Sequence, residues 1–232
     1  MPIYKTKDEN FFKKWTSEMA YVLGFIAADG SLIKNKRGAC FIEIQSIDKE
    51  IIYKIKKVLH TNLKIGAYQS KHINYKKRYR LEIGSKEIFN DLLNLGLTPR
   101  KSKIIELPNI PKQYFAHFVR GYFDGDGNVT FGFYKKSDRK SKSPILSTRF
   151  VAGSKSILEK LKHKLKILFQ LNGSLYYSGN AWRLSYSTND SKKIFRFMYR
   201  NNNIKHLIYL ERKYNIYKKA INYFERSEKK RS

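Results

Sequence analysis

Two aspartates, Asp29 and Asp126, stand in matching surroundings, "AYVLGFIAADGSL" from Ala20 to Leu32 and "HFVRGYFDGDGNV" from His117 to Val129. Aligned on the Asp-Gly pair, Gly24 corresponds to Gly121, Phe25 to Tyr122, Ala28 to Gly125 and Gly30 to Gly127. One Asp-Gly is an ordinary helix stop or turn. Two copies, each behind an apolar helix with small residues at the same spacing, point instead to a paired functional site. Gly24 and Ala28, like Gly121 and Gly125, share one helix face, where a second helix backbone can come close. The two helices are therefore expected to pack on each other. A glycine after each aspartate suits the left-handed residue that ends many helices. Both carboxylates would then meet at adjacent helix C-termini, each already carrying about half a negative charge. Apposed carboxylates resist joint ionisation unless a cation compensates them. Magnesium suits such a site, because it takes carboxylates, carbonyl oxygens and water. The carbonyls of Ala28 and Gly125 would complete the protein's share of ligands.

Other chemistries have little support. The histidines (His60, His72, His117, His163 and His206) lack metal-ligand spacing and read as surface or interfacial. Cys40 is the single cysteine, which excludes a disulfide framework and a cysteine-built zinc site and suits a reducing compartment. No Gly-rich phosphate loop follows a strand, and no nucleophile–base pair stands out. Trp15 and Trp182 read as packing residues.

The elements that must position the aspartates repeat as well. After the first motif come a strand, "ACFIEIQS", and an amphipathic helix from about Asp48 to His60, capped by Ser46 or Asp48. A hairpin, "KIGAYQS" and "RYRLEIG", and a helix, "SKEIFNDLLNLG", stopping at Gly96, complete the copy. After the second motif the order recurs as "STRFVAGS", "SILEKLKHKLKILF", "GSLYYSG", "WRLSYST" and "DSKKIFRFMYR", with Arg80-Leu81 matching Arg183-Leu184. Residues 1–98 thus form one repeat and 116–232 the other, with a proline-rich linker at 99–115. The fold class is α+β, two lobes made by duplication. The charged tail "ERSEKKRS" is expected to fray.

Composition supplies a partner. The chain has 232 residues, with 48 Lys and Arg against 19 Asp and Glu, for a formal charge of +29. Disorder is excluded, because 41% of residues are hydrophobic and 15% aromatic. Such a charge repels itself and calls for a polyanion, and nucleic acid is the leading one. A Lys-rich surface can also reflect an AT-rich genome, so charge names a partner class and no chemistry. No apolar run approaches the roughly 20 residues that span a membrane, and the N-terminus has no secretory pattern.

The paired segments, "VLGFIAADG" (Val22 to Gly30) and "VRGYFDGDG" (Val119 to Gly127), resemble the motif of LAGLIDADG homing endonucleases. The order of elements after each motif resembles that family's αββαββα repeat, in the single-chain, two-repeat form. The resemblance implies a monomer with a pseudo-twofold axis between the motif helices and a DNA-binding saddle of two antiparallel sheets. It implies cleavage of both strands of a specific DNA duplex across the minor groove, with the sheets in the major groove. Magnesium or manganese would support the reaction, and calcium would occupy the site without cleavage. The family's catalytic acids carry over onto Asp29 and Asp126. Its basic and amide groups near the metals best match Lys101, Lys213 and Gln45, whose second-lobe counterpart falls on Val151 or Ala152. Candidate DNA-contacting residues are Gln45, Tyr68, Gln69, Arg78 and Arg80, then Arg149, Tyr176, Tyr177, Trp182 and Arg183; strand register decides which of them face DNA. Ala27 stands where the motif has its earlier Asp, which Asp124 keeps, and Arg120 replaces a small residue and is expected to face away from the helix interface. The competing reading is an RNA splicing maturase or a nucleic-acid-binding regulator on the same scaffold.

Overall fold

In the computed structural model, which describes residues 5–69, 76–135, 141–199 and 206–229, the chain folds as two copies of one unit. The first runs α1 (Ser17–Asp29), β1 (Gly30–Lys34), β2 (Cys40–Ser46), α2 (Lys49–Val58), β3 (Gly66–Tyr68), β4 (Arg78–Gly84) and α3 (Lys86–Asn94). The second runs α4 (Phe115–Asp126), β5 (Asn128–Lys135), β6 (Lys142–Ala152), α5 (Lys155–Phe169), β7 (Ser174–Ser178), β8 (Ala181–Tyr186) and α6 (Thr188–Tyr199). An added helix, α7 (Glu211–Lys229), follows the second copy. Each copy holds a four-stranded antiparallel sheet, in the orders β1-β2-β4-β3 and β5-β6-β8-β7.

Alternation sets the two faces of each sheet. In β2 and β4, Ile42, Ile44, Leu81 and Ile83 are buried beneath Ile51, Ile52 and Ile55 of α2 and Ile88, Phe89 and Leu92 of α3. Leu146, Phe150 and Leu184 do the same in the second sheet under Leu158, Leu161 and Ile194. The opposite face of each sheet has no helix over it among the described residues, and its side chains stay partly or fully open. One-sided antiparallel sheets of this kind leave a whole face for a partner.

α1 differs from the amphipathic helices. Every residue from Met19 to Ala27 is buried, so it is enclosed on all sides. Thr16 caps its start, its hydroxyl accepting from the Met19 N–H at 3.0 Å. α4 is buried from Phe118 to Asp124 and packs along α1. A Cβ on Gly24 would stand 2.2 Å from the Phe118 carbonyl oxygen, and one on Gly121 would stand 2.0 Å from that of Tyr21. Only glycine permits that backbone approach.

Three local expectations change. Gly30 and Gly127 have φ of −93° and −86°, extended values open to any residue, and lead directly into β1 and β5. Crowding requires glycine there: an added Cβ would lie 2.7 Å from the Ile26 Cα, or 2.4 Å from the Phe123 carbonyl oxygen. Asp48 precedes α2 without a side-chain cap bond, because its carboxylate holds Arg212 instead, with Nε 3.0 Å from both oxygens. The segment expected to fray is helical as far as Lys229, since Phe131 and Phe133 of β5 stack against Tyr223 and Phe224 of α7.

Candidate active site

Each motif helix ends on its aspartate and passes straight into the first strand of its sheet, so both sheets begin where the two carboxyls meet. Asp29 and Asp126 come close enough to share a hydrogen bond. Burial raises both pKa values; Asp126 is pushed up to about 6, its neighbour Asp29 adding to the effect. Lys213 and Lys101 oppose that shift at both acids, and Arg78 opposes it at Asp29. The pair is a concentrated negative charge that the nearby cations offset without cancelling the effect of burial.

The two lysines are themselves buried, at 5% exposure for Lys101 and 3% for Lys213. Lys101, in a 3₁₀ turn of the linker (Lys101–Lys103), reaches the Gly30 carbonyl at 2.5 Å, one residue past Asp29. Lys213, on the first turns of α7, donates to the carbonyls of Phe123 (2.6 Å), Asp124 (2.9 Å) and Gly125 (3.4 Å) at the end of α4. Each ammonium therefore answers the negative end of one motif helix. Burial pushes Lys213 down to about 8, with Asp124, Asp29 and Asp126 acting against the shift, so it stays mainly protonated at neutral pH.

Asp29, Gln45, Arg78, Asp124, Gly125 and Arg212 line one cleft beside the pair. A second, adjoining depression on the open face of the first sheet is lined by Gln45, Tyr68, Arg78 and Arg80 together with Lys76 and Gly66. Register sorts the remaining candidates. Gln45 faces Arg80 across the ladder and Tyr68 faces Arg78, placing all four on the open side. In the second sheet Arg149 faces Ser185, and Arg183 faces both Val151 and Tyr176. Tyr177 and Trp182 pair with each other one residue out of step, on the helix-bearing face, where Lys155 lies 5.1 Å over the indole. Those two residues therefore point away from the open face. Gln69 follows β3 outside the ladder.

A buried polar lattice behind the carboxyls was only partly visible in the sequence. Arg120, expected to face away, is 1% exposed and lies 5.4 Å over the Tyr21 ring of α1. Its guanidinium donates to the carbonyls of Ile208 (2.9 Å) and Met198 (2.8 Å) and to Nδ1 of His117 (2.9 Å). His117 then donates from Nε2 to the Ser17 hydroxyl at 3.2 Å. Burial and Arg120 push that imidazole down to about 4, so it is neutral. Asp124 accepts from the Tyr21 hydroxyl and the Leu210 N–H, both at 2.8 Å. The one signal for this lattice was a charged residue at a motif position that otherwise takes a small one.

Residues 16–95 match the model of a family described as "LAGLIDADG-like domain". That match covers the first repeat, and the chain as a whole has the two-repeat fold of solved LAGLIDADG proteins. Among solved structures, the LAGLIDADG meganuclease I-AabMI bound to uncleaved DNA superposes with a TM-score of 0.62 at 15% identity, over 90% of this chain and 91% of that one. The homing endonuclease I-WcaI bound to its DNA recognition sequence gives 0.57 at 20% identity, over 86% and 91%. A curated relative, the DNA-directed RNA polymerase subunit Rpo1C of Methanocaldococcus jannaschii, is 30% identical over 114 residues, 48% of this chain and 13% of that protein. The chain thus spans a small part of that relative's length. Among the described residues no group of three or more His, Cys, Asp or Glu could hold a metal ion.

Proposed function

We propose that the chain is a site-specific endonuclease that hydrolyses one phosphodiester on each strand of double-stranded DNA with the aid of a divalent metal. The observation that carries this reading is the convergence of Asp29 and Asp126 at the joined ends of α1 and α4, from which two open-faced basic sheets begin. The donor set fits magnesium or manganese: two apposed carboxylates whose pKa values stay raised despite the nearby lysines, beside helix-end carbonyls, all hard oxygen. Asp29 and Asp126 would hold the metal, with the carbonyls of Ala28 and Gly125 as further ligands. Bound there, such an ion activates water and offsets charge on the phosphate.

The chain's own residues supply the rest. Lys101 and Lys213 keep positive charge beside the acids and fix the helix ends that present them. Gln45, with an amide that both donates and accepts, can orient the attacking water. Arg80, Arg149 and Arg183 on the open faces can hold phosphates or read base edges in the major groove. The solved structures similar to this chain include proteins described as bound to DNA, which supports the same partner.

The test is cleavage of a plasmid library carrying randomised inserts, with magnesium present. Linear product from a small set of related inserts is the expected result. Binding without cutting, or preference for RNA, would favour a maturase or regulator instead.

A further inference from the structure

On the helix-bearing side of the second sheet, the end of α5 and the outer face of α6 border a groove of 710 Å³. Neither the paired aspartates nor the open sheet faces have a use for it. Leu168, Phe169 and Phe197 supply apolar lining, and Lys112, Lys193 and Arg196 supply the charge, with no acid among the lining residues. Lys112 opens the 3₁₀ turn (Lys112–Tyr114) that leads into α4. The 12 residues of α4, about 18 Å of helix, therefore separate this end of the molecule from Asp126.

The sequence of the two helices makes the groove. In α6, Ile194 and Met198 are four apart and buried, whereas Phe195 and Phe197 stay half-buried and Lys193 and Arg196 stay exposed. The last turn of α5 carries more aliphatic surface than the core takes up, leaving Ile167 66% and Leu168 36% exposed. Apolar surface left open and rimmed by polar groups is the mark of an interaction site. Lys192, beside Lys193, is paired with Glu228 at 3.2 Å. Among the described residues no ion pair neutralises Lys112, Lys193 or Arg196. The rings are tied up in one another: Phe169 meets Phe197 at 4.5 Å between centroids, and Phe197 meets Phe115 at 5.9 Å. Lys164 lies 5.3 Å over the Phe115 ring. Rings so engaged make a wall for apolar side chains, whereas base stacking needs a ring face held open.

We propose that this groove docks an acidic peptide segment of a partner protein, with aliphatic or aromatic side chains seated against Leu168, Phe169 and Phe197 and carboxylates facing Lys112, Lys193 and Arg196. Charge complementarity selects that occupant. The groove offers cations without acids around an apolar lining, and a segment alternating carboxylates with apolar anchors satisfies both at once. Arg196 can take a carboxylate with two parallel N–H bonds. A second copy of the chain is the wrong occupant, since each copy brings a formal charge of +29. Nucleic acid would meet the cations and leave the aliphatic groups uncovered. Because the groove lies on the helix side of its sheet, a peptide there and a duplex on the open faces do not compete. The proposal does not depend on what the paired aspartates do.

The experiment pans a displayed library of random peptides, about twelve residues long or some three helical turns, on the full chain with mixed-sequence duplex DNA already bound. Enriched peptides should combine Asp or Glu with Leu, Phe or Trp. The strongest of them, synthesised with a fluorophore, should bind in anisotropy titrations with or without the duplex. Lys193→Glu with Arg196→Glu should weaken it about tenfold or more, because both cations become repulsive. Leu168→Asp, which puts an acid on the apolar lining, should weaken it as well. Lys218→Glu with Lys219→Glu, on α7 and outside the groove, makes the same change in net charge and should leave affinity within about twofold. All five positions are exposed, so melting curves should not move. Equal losses in the two double variants would reduce the effect to overall charge and overturn the proposal. Enrichment of neutral or basic peptides, or no enrichment at all, would overturn it too. A mixed-sequence single-stranded RNA of similar length that displaces the peptide, and itself binds less well to the Lys193→Glu, Arg196→Glu variant, would make the groove a nucleic-acid site instead.

Discussion

Asp126 is the residue most displaced from its ordinary chemistry, and the direction of its shift can be tested without DNA. Its pKa rises from 3.8 unfolded to about 6 folded, first through burial and then through Asp29. Between those values the folded state binds more protons than the unfolded state, so metal-free stability falls as pH rises through that window. In the proposed metal site, magnesium would restore what ionisation removes. Its stabilising effect should therefore be larger at pH 7 than at pH 5, readable as a greater rise in Tm; each kcal/mol corresponds to about 2–4 °C for a chain this size. An equal magnesium effect at both pH values would mean that the ion does not sit on the pair. Asp126→Asn should raise the metal-free Tm at pH 7 and abolish its dependence on magnesium. The same variant, and Asp29→Asn, should lose double-strand cleavage while DNA affinity stays nearly intact, because phosphate and base contacts lie on the sheets. Full cleavage by either variant would remove its aspartate from the mechanism; nicking by one alone would mean that the two sites act semi-independently.

The interface between α1 and α4 sets how close the carboxyls come, and its glycines set the interface. Gly24→Leu or Gly121→Leu places side-chain atoms where backbone oxygens already stand 2.2 and 2.0 Å from a Cβ. Overpacking costs about 1–3 kcal/mol or more, so both variants should melt lower and lose cleavage together. Gly66→Ala is the control, since its Cβ would meet only the Arg80 carbonyl at 3.7 Å. An unchanged Tm in the leucine variants would contradict the close approach. This is also the scale at which the sequence was most informative. Paired small residues four apart pointed to the helix contact, period-two alternation to the strands, and duplication to the order of elements. What stayed hidden depended on contacts between distant segments. Gly30 and Gly127 looked like left-handed caps, but the helix carbonyls crowding them are a tertiary fact. Arg120 was expected only to face away from the helix interface, because nothing local announces that the carbonyls of Met198 and Ile208 await its guanidinium beside Tyr21. Tyr177 read as the equal of Tyr176 until register put it on the other face, beside Trp182, whose packing character the sequence had already suggested. Gln45 was ambiguous against Val151 and Ala152 for the same reason, and the ladder settles it on Val151.

At the scale of the molecule, a chain with a formal charge of +29 has two sheets whose open faces do not carry charge alike. On the first sheet, Arg80 is 3.0 Å from the Glu43 carboxylate, and its own side chain is 55% exposed. The position matching Glu43 in the second sheet is Arg149, which donates to the Ser185 hydroxyl at 3.1 Å. One half of the open surface thus carries an arginine with an acid beside it, and the other half carries Arg149 and Arg183 with no such acid on the matching residue. An exposed pair contributes little stability, but it fixes the direction of a guanidinium and offsets its charge toward phosphate. Binding to a duplex should weaken with salt at about −0.9 log units per log unit for each phosphate neutralised. Arg183→Ala and Arg149→Ala should each flatten that slope by about one unit and weaken binding to all sequences alike. Arg80→Ala should leave the slope nearly unchanged and relax base preference in its own half-site by about 1–3 kcal/mol, as expected of an oriented base-reading arginine. Glu43→Gln separates the two contributions: freeing Arg80 should steepen the salt dependence and blur the preference at the same positions. Salt titrations on the recovered target and on its single-base variants measure both quantities together. If Arg80→Ala instead flattens the slope and leaves base preference untouched, Glu43 does not orient a reader, and both sheets grip the backbone in the same way.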